Sequence, residues 1–530
     1  MSVSRRDLAN MSVLGGAAVA LPLERSVSAA SAVGNRIASS RLPAPFTTPF
    51  AVPPVISPVR SDPVSVTDFY RITMKPTFVE IVPGLPTQMW GYNGLVPGPT
   101  FRIQRGRKTV VRQINNLPPV HPVLKYVPYT SVHLHGSVSL PQYDGYASDI
   151  TNPGEYKDYH YPNTQHARTL WYHDHGVHHT AENVSMGLAG QYHIIDALEQ
   201  SLPIPHGEFD VPLTVGDTML NSDGSLLFEP NDESGFFGDV ILVNGRPWPV
   251  MQVKKRKYRF RILNASVSRS FRWSLSTGDT MTIIGTDGGL VPTPIPVTTF
   301  RHGVAERYEV VIDFKNYPVG TRIILRNGNI ENDINFTNTN KVMAFDVVGD
   351  AFDPSGNLIP DVLDPTQPAM LVNETDSIRT RTMEFVRDDG QWTINGGTWD
   401  DVIASHFTKV LASPRTNDVE VWNLVNKSGG WHHPAHIHFI DFRILSRNGR
   451  PPQPQERGAK DTAFLGEGES VRVLIKFDDG RGKYMEHCHN LVHEDHDMMT
   501  QFEVVDPAAR GDDPLVARAR STSLEAGDPL

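Results

Sequence analysis

An Asn-Gly pair followed by an alternating strand segment occurs three times along this chain. The pairs are Asn93-Gly94, Asn244-Gly245 and Asn395-Gly396, and the segments that follow them are 109–115, 258–264 and 419–426. Each segment ends in asparagine. Asn-Gly is a preferred pair in tight hairpin turns, and alternation of polar and apolar residues is typical of strands with one buried face. Three copies in order predict consecutive antiparallel β-sandwich units.

The length of the chain agrees with several units. A chain of 530 residues is too long for one hydrophobic core, and its 42 Gly and 42 Pro indicate many turns. No stretch has a sustained helical period, so we expect no helical domain. We place the units at 63–200, 205–350 and 375–507, after a Pro-rich arm at 31–62 and before a polar tail at 508–530.

The first thirty residues have the features of an export signal. Arg5 and Arg6 form a twin-arginine pattern, which is followed by an apolar run at 11–23 and small residues at 27–30. The apolar run is shorter than the ~20 residues of a membrane-spanning helix. We therefore expect residues 1–30 to direct export to the periplasm, the cell envelope or the outside, without a membrane span.

The net charge of the chain bears on whether it binds nucleic acid. The formal net charge is -10, which argues against a nucleic-acid-binding surface. No feature of the sequence specifies an oligomeric state.

Ten of the 21 histidines fall into four short clusters in the first and third units. The middle unit contains none of these clusters, which predicts a metal site between two units with the third as a spacer. The clusters are His133 and His135; His173 and His175; His433, His436 and His438; and His487, His489 and His493.

Strand geometry explains the His-x-His spacing. Side chains alternate across a strand, so both imidazoles of such a pair point to one face. Four pairs would present eight imidazoles, more than one ion can accept, which indicates a cluster of metals.

The only cysteine, Cys488, lies between His487 and His489 and must therefore face a separate site. Together with His433, His493 and Met498, Cys488 supplies two imidazoles, a thiolate and a weakly binding thioether. This is the ligand set of blue copper. Structural zinc usually collects four strong ligands, so copper is favoured.

These segments resemble the multicopper oxidases, within which 430–438 and 487–499 are most similar to bilirubin oxidase and the bacterial spore-coat laccase. The resemblance extends from about residue 63 to 505. It implies an all-β fold of three consecutive cupredoxin-like Greek-key sandwich or barrel domains, with four copper ions. It also implies an enzyme that oxidises a small organic donor and reduces dioxygen to water.

The resemblance implies a role for each ligand. The type 1 copper would be bound by His433, Cys488, His493 and axial Met498, and the type 2 copper by His133 and His436. One type 3 copper would be bound by His135, His173 and His489, and the other by His175, His438 and His487. Because Cys488 is covalently linked to His487 and His489, the chain itself would connect the two sites.

Three further residues are implied by the resemblance. Asp144 and Glu494 would relay the protons that dioxygen reduction consumes, although both also fit ordinary polar loop positions. Trp431 would lie beside His433 and influence the donor or the potential; a core aromatic at a sheet edge is the alternative.

Other functions remain as alternatives. An o-aminophenol oxidase of the phenoxazinone-synthase kind is the main one. A cuprous oxidase usually has a Met-rich insert, and the 14 Met show no such cluster. A metal-free exported scaffold would have lost ligands, whereas all are present here. The other histidines, such as His121, His160, His302 and His406, are expected at the surface or in satisfied core positions. His178, His179, His432 and His496 are expected near the clusters without being ligands.

Overall fold

The computed structural model of the protein describes residues 35–229, 233–351, 355–478, 480–506 and 520–521. The predicted export signal, the first residues of the predicted arm and most of the predicted tail lie outside the described residues.

Within the described residues, the secondary structure is dominated by strands. Those of the first third of the chain are β1 Arg60–Asp62, β2 Thr67–Val82, β3 Leu85–Tyr92, β4 Phe101–Gln104, β5 Lys108–Asn115, β6 Val132–His135, β7 Glu155–Tyr161, β8 Arg168–Asp174 and β9 Ala189–Ile195. Those of the middle are β10 Asp210–Thr218, β11 Val240–Val243, β12 Arg246–Pro247, β13 Val250–Lys255, β14 Lys257–Asn264, β15 Phe271–Leu275, β16 Met281–Thr286, β17 Gly289–Val297, β18 Thr299–His302, β19 Arg307–Asp313, β20 Arg322–Asn327 and β21 Lys341–Asp350. Those of the last part are β22 Arg379–Asp388, β23 Gln391–Ile394, β24 Val419–Asn426, β25 His433–Ile437, β26 Phe442–Arg447, β27 Ala459–Lys460, β28 Thr462–Leu465, β29 Ser470–Lys476, β30 Gly482–Cys488, β31 Met499–Val504 and β32 Arg520–Ser521.

The helices of the described residues are short. They are α1 Thr180–Ser185, α2 Ala197–Ser201, α3 Pro368–Leu371, α4 Trp399–Ala404 and α5 Leu491–Asp495. Single 3-10 turns occur at Ser39–Arg41, Pro141–Tyr143, Gly207–Phe209, Glu374–Asp376 and Pro454–Glu456. The all-β prediction is confirmed.

The strands form three successive pairs of sheets. The first pair has the orders β1-β2-β5-β7-β32, with β3 on β2, and β4-β9-β8-β6. The second has β12-β11-β10-β14-β19-β16-β17 and β13-β21-β20-β15-β18, and the third has β23-β22-β24-β29-β26-β27 and β28-β25-β30-β31. Each pair encloses its own buried apolar cluster, so each unit is a sandwich with a core between its sheets.

The threefold motif has the same geometry in each unit. Both residues of each Asn-Gly pair have positive φ, with values of 56° and 78°, 50° and 75°, and 51° and 72° along the chain. This conformation is required by the hairpin turns whose twist matches that of the strands. In each unit the strand that ends in asparagine lies parallel to the first long strand, as β2 with β5, β10 with β14, and β22 with β24, so the sheets are mixed and the prediction of antiparallel sandwiches is wrong on this point.

The strand-ending asparagines are buried and fix the loops that follow them. Nδ2 of Asn115 donates to the carbonyls of Pro128 and Thr151, both at 2.9 Å. Nδ2 of Asn426 donates to the carbonyl of Trp431 at 2.7 Å. In the third unit the repeated motif therefore holds the segment that leads to His433.

Two segments outside the sandwiches attach to them. The arm is extended: the amide of Ile37 donates to the carbonyl of Leu220, and that of Phe50 to the carbonyl of Val250, both at 2.9 Å. Arg520–Ser521 pair with β7, a strand that the sequence did not predict.

Candidate metal centre

All four histidine clusters meet between the first and third sandwiches. Strands β6 and β8 are antiparallel neighbours with His133 opposite His173, and β25 and β30 are neighbours with His436 opposite His487. In each His-x-His pair both rings lie on the same face of the strand. The eight imidazoles of the four pairs therefore lie together in one space. None of them has exposed surface.

Three of these imidazoles point their Nε2 atoms at one another. Nε2 of His487 lies 3.2 Å from Nε2 of His175 and 3.0 Å from Nε2 of His438. Nδ1 of His438 donates to the carboxylate of Asp144, and Nδ1 of His487 donates to the carbonyl of Cys488 and lies 3.0 Å from the carboxylate of Glu494, so the Nε2 atoms carry lone pairs. Facing lone pairs need a cation, and nitrogen ligands ~2 Å from one ion lie about this far apart.

A second group consists of His135, His173 and His489. The ring centroids of His135 and His173 are 5.9 Å apart, and the ring of His489 lies 5.0 Å and 5.2 Å from them. Nδ1 of His135, Nε2 of His173 and both ring nitrogens of His489 are buried without a hydrogen-bond partner among the described residues. Buried polar atoms are normally paired, so these nitrogens indicate a bound group.

His133 and His436 complete the cluster, with ring centroids 5.7 Å apart. Nδ1 of His436 donates to the carbonyl of Asp461 at 2.9 Å, and Nδ1 of His133 to that of Asp144. Nε2 of each lacks a partner in the described part of the chain. Burial lowers the pKa of both imidazoles well below the usual value, so both are neutral and able to bind metal.

The sulfur of Cys488 belongs to a different group. Sγ lies 3.3 Å from Nδ1 of His433 and 3.5 Å from Nδ1 of His493, and these two nitrogens are 3.2 Å apart. Met498 is fully buried in the same apolar cluster as Cys488, and its backbone carbonyl accepts a hydrogen bond from the Cys488 amide at 3.0 Å. Burial raises the pKa of the Cys488 thiol well above its usual value, so metal binding must displace its proton.

The outer nitrogens of the two imidazoles beside the sulfur are held in place. Nε2 of His433 lies 2.9 Å from Oγ of Ser428, and Nε2 of His493 lies 2.9 Å from the carbonyl of Ser234. These contacts orient the rings and leave Nδ1 of each facing the sulfur.

The carboxylates of Asp144 and Glu494 both contact the imidazoles of the cluster. Oδ2 of Asp144 lies 2.8 Å from Nδ1 of His438, and burial raises the pKa of Asp144 well above its usual value. Oε2 of Glu494 lies 3.0 Å from Nδ1 of His487. Burial alone would raise the pKa of Glu494, but His487 and His175 outweigh it and lower the pKa to about 2.

Sequence reasoning missed a third carboxylate beside the cluster. Oδ1 of Asp461 lies 3.1 Å from Nε2 of His135. The guanidinium of Arg307, on β19 of the middle unit, donates to both carboxylate oxygens of Asp461, at 2.7 Å and 2.5 Å. No spacing relative to a histidine marks either residue, so only the fold reveals that the middle unit reaches this cluster.

A second tryptophan was also missed. Trp431 contacts the ring of His493, at 6.3 Å between centroids, and that of Trp392, at 5.8 Å. The indole packed against His433 is that of Trp392, at 5.5 Å, and it also stacks on His493 at 3.8 Å. Trp392 lies on β23, far from every histidine motif in the sequence.

The histidines outside the clusters have other surroundings. His302 is a satisfied core residue that accepts from Nε1 of Trp273 at 2.8 Å, and His121 is buried and accepts from the amide of Leu124 at 3.0 Å. His160 and His406 are exposed. Among the histidines near the clusters, Nε2 of His432 lies 2.7 Å from Asp333.

A three-sandwich fold with one thiolate–imidazole group and eight converging imidazoles defines a copper redox protein. Three multicopper oxidase family models match residues 73–199, 192–348 and 372–508. The chain belongs to the multicopper oxidase family.

Individual relatives agree with this assignment. The chain is 42% identical over 480 residues to the bilirubin oxidase of Albifimbria verrucaria, covering 86% of this chain and 81% of that one. It is 34% identical over 517 residues to a laccase of Bacillus subtilis, covering 87% and 99%. Its fold is similar to the crystal structure of McoA from Aquifex aeolicus, with a TM-score of 0.76, 29% identity and coverage of 86% and 99%.

These findings confirm several predictions from the sequence. The fold is of the cupredoxin-like multicopper oxidase type, the cofactor is copper, and the chain is a copper-dependent oxidoreductase that uses dioxygen and an organic reductant. The buried thiol, and the ring nitrogens that have no hydrogen-bond partner among the described residues, fit bound copper. Among the described residues, no helix combines the length and apolar character that a membrane crossing would require.

Proposed function

We propose that this oxidase takes single electrons from a phenolic, aminophenolic or bilirubin-like donor at a type 1 copper and reduces dioxygen at a cluster of three further coppers. In this proposal His433, Cys488 and His493 bind the type 1 copper with Met498 as the axial ligand, and His133 and His436 bind type 2. The two type 3 coppers are bound by His135, His173 and His489, and by His175, His438 and His487.

One observation carries the proposal: β30 supplies both sites from adjacent residues. The sulfur of Cys488 lies within 3.5 Å of ring nitrogens of His433 and His493. The next residue back, His487, faces His175 and His438 instead. Because successive side chains of a strand face opposite ways, the chain provides a short covalent path between the two sites.

The protein groups around the cluster support a division of roles in proton supply. Bound copper supplies one-electron chemistry, and dioxygen reduction also consumes protons. Burial raises the pKa of Asp144, which lies beside Nδ1 of His438, whereas the pKa of Glu494, beside Nδ1 of His487, is lowered to about 2. Two carboxyl groups with pKa values pushed apart can act as proton donor and proton acceptor.

We also propose that the chain is exported and that it has three domains with the limits given below. The twin-arginine pattern at Arg5 and Arg6 supports export of the chain to the periplasm, cell envelope or outside. The changes of sheet along the chain support domain limits near 63–200, 205–350 and 375–507.

The test begins with the copper-loaded protein. We expect four copper ions per chain, an intense blue thiolate band, and oxygen uptake with at least one of bilirubin, a phenol and o-aminophenol. Uptake with o-aminophenol alone would favour the phenoxazinone-synthase alternative, and uptake with Cu(I) alone a cuprous oxidase. A colourless protein that does not consume oxygen would contradict the proposal.

Cys488→Ser tests the residue assignment. We expect this variant to lose the blue band and donor-driven oxygen uptake while it keeps three copper ions. The control is His302→Gln, a buried histidine of the middle unit, which should keep all four ions. Retention of the blue band in Cys488→Ser would contradict the assignment.

A further inference from the structure

The imidazoles of His433 and His493 lie beneath the surface of the protein. Neither ring has exposed area. Their outer nitrogens are engaged by Ser428 and by the carbonyl of Ser234, each at 2.9 Å. A donor in solution therefore cannot touch either ring, and its electron must cross an intervening group.

Trp392 is the group stacked directly on His493. The ring centroids are 3.8 Å apart and the planes are inclined by 28°. The indole is fully buried, and its Nε1 donates to the carbonyl of Glu233 at 2.8 Å. This hydrogen bond fixes the ring, so its π face stays against the imidazole.

Trp431 lies on the solvent side of Trp392, and its own ring is 6.3 Å from that of His493, farther than the 3.8 Å of Trp392. Its ring meets that of Trp392 edge to face, with centroids 5.8 Å apart and planes at 84°. Trp431 is half-buried, whereas Trp392 is not exposed at all. The preceding residue, Gly430, borders open space, since a Cβ placed there would meet no atom within 4 Å. A planar donor can therefore reach the Trp431 ring.

We propose that Trp392 is the bridge through which an electron passes from a donor held against Trp431 to His493. The inference rests on the proposed function, because it requires a redox-active metal held by His493. Each donor molecule loses one electron, which is delivered to that metal, and a phenolic donor releases its proton to solvent. Dioxygen remains the final oxidant.

A positive charge beside Trp392 affects how easily the indole itself is oxidised. The guanidinium carbon of Arg387 lies 4.8 Å from the centre of the indole ring. A cation over the ring stabilises its π electrons, so removing one of them becomes harder. Trp392 therefore passes the electron by tunnelling and is not itself left oxidised.

The test separates electron entry from every later step. Trp392→Leu and Trp392→Phe are loaded with copper, and bleaching of the blue band by o-aminophenol is followed without oxygen. We expect Trp392→Leu to bleach about tenfold more slowly than the unsubstituted protein or slower still, and Trp392→Phe to show a smaller loss because it keeps an aromatic ring. The intensity of the blue band, its midpoint potential and its return on adding oxygen should be unchanged.

Trp273→Phe is the matched control. Trp273 is also buried, stacks on Phe271 at 4.7 Å and donates its Nε1 to His302, but it lies in the middle unit. Bleaching of Trp392→Leu at the unsubstituted rate, or equal slowing in Trp273→Phe, would overturn the inference. If Trp392→Leu loses its blue band, the test depends on Trp392→Phe. Bleaching of Trp392→Phe at the unsubstituted rate, or loss of its blue band as well, would count against Trp392 as the bridge. Failure of the proposed function is distinguishable, because the unsubstituted protein would then show no blue band.

Discussion

Oδ2 of Asp144 lies 2.8 Å from Nδ1 of His438, so a carboxyl group of the first unit orients an imidazole of the third. Neither side chain is exposed to more than a trace of solvent. The contact therefore joins the two units at the cluster and places a titratable group against it.

Asp144→Asn should keep this contact while removing the transferable proton. Burial raises the pKa of Asp144 well above its usual value, so its carboxyl group takes up a proton more readily than an ordinary aspartate, and the amide has no such proton to supply. We expect unchanged copper content and blue band, with oxygen uptake slower by about 100-fold, the lower range for general acid catalysis. Asp388→Asn, at an exposed hairpin tip, is the control. Equal oxygen uptake in the native and Asp144→Asn proteins would count against proton supply by Asp144.

Glu494→Gln should affect stability in a particular pH window. The pKa of Glu494 is lowered from 4.5 to about 2 in the folded protein, so its ionisation stabilises the fold above pH 4.5. That contribution is lost as the pH falls through about 2. We expect the free energies of unfolding of the native and Glu494→Gln proteins to differ most above pH 4.5 and to converge in acid, as measured by denaturant titration. A difference that is constant with pH would contradict the assignment.

The features that could be predicted from the sequence are local ones. His133 and His135 share a strand face whatever the tertiary structure, and the Asn93-Gly94 turn depends only on its own backbone angles. Repetition of such local patterns was enough to predict three sandwiches and the grouping of the histidines.

The features that could not be predicted depend on loops and strands that meet only in the folded chain. Arg307 reaches Asp461 across 154 positions, and Trp392 meets Glu233 across 159. No periodicity connects such pairs, because their contact depends on how one sandwich lies against another. The middle unit was therefore predicted as a spacer, whereas its Arg307 and Ser234 contact the residues around both sites.

Arg307→Met tests the cost of breaking the link between the middle and third units. Both Arg307 and Asp461 are buried, so the substitution leaves an uncompensated carboxylate beside His135. We expect a loss of about 3–5 kcal/mol in the free energy of unfolding, measured by denaturant titration. Arg322→Met breaks a similar two-contact pair with Asp346 at the surface and should cost about 1 kcal/mol or less. Equal costs for the two variants would show that Asp461 is compensated by other groups.

His178 should make the contact between the first and third units dependent on pH. Its Nε2 lies 3.4 Å from Asp497 and 3.5 Å from Asp400. Burial alone would lower the pKa of His178, but the two carboxylates outweigh it and raise the pKa from 6.5 to about 9. The charged imidazole therefore stabilises the fold fully below pH 6.5, and this contribution is lost as the pH rises through about 9. We expect His178→Gln to lower the melting temperature below pH 6.5 and to match the native protein above pH 9, whereas His406→Gln, at an exposed site, should not show this convergence. A deficit in His178→Gln that persists unchanged above pH 9 would mean that packing, and not charge, accounts for its effect.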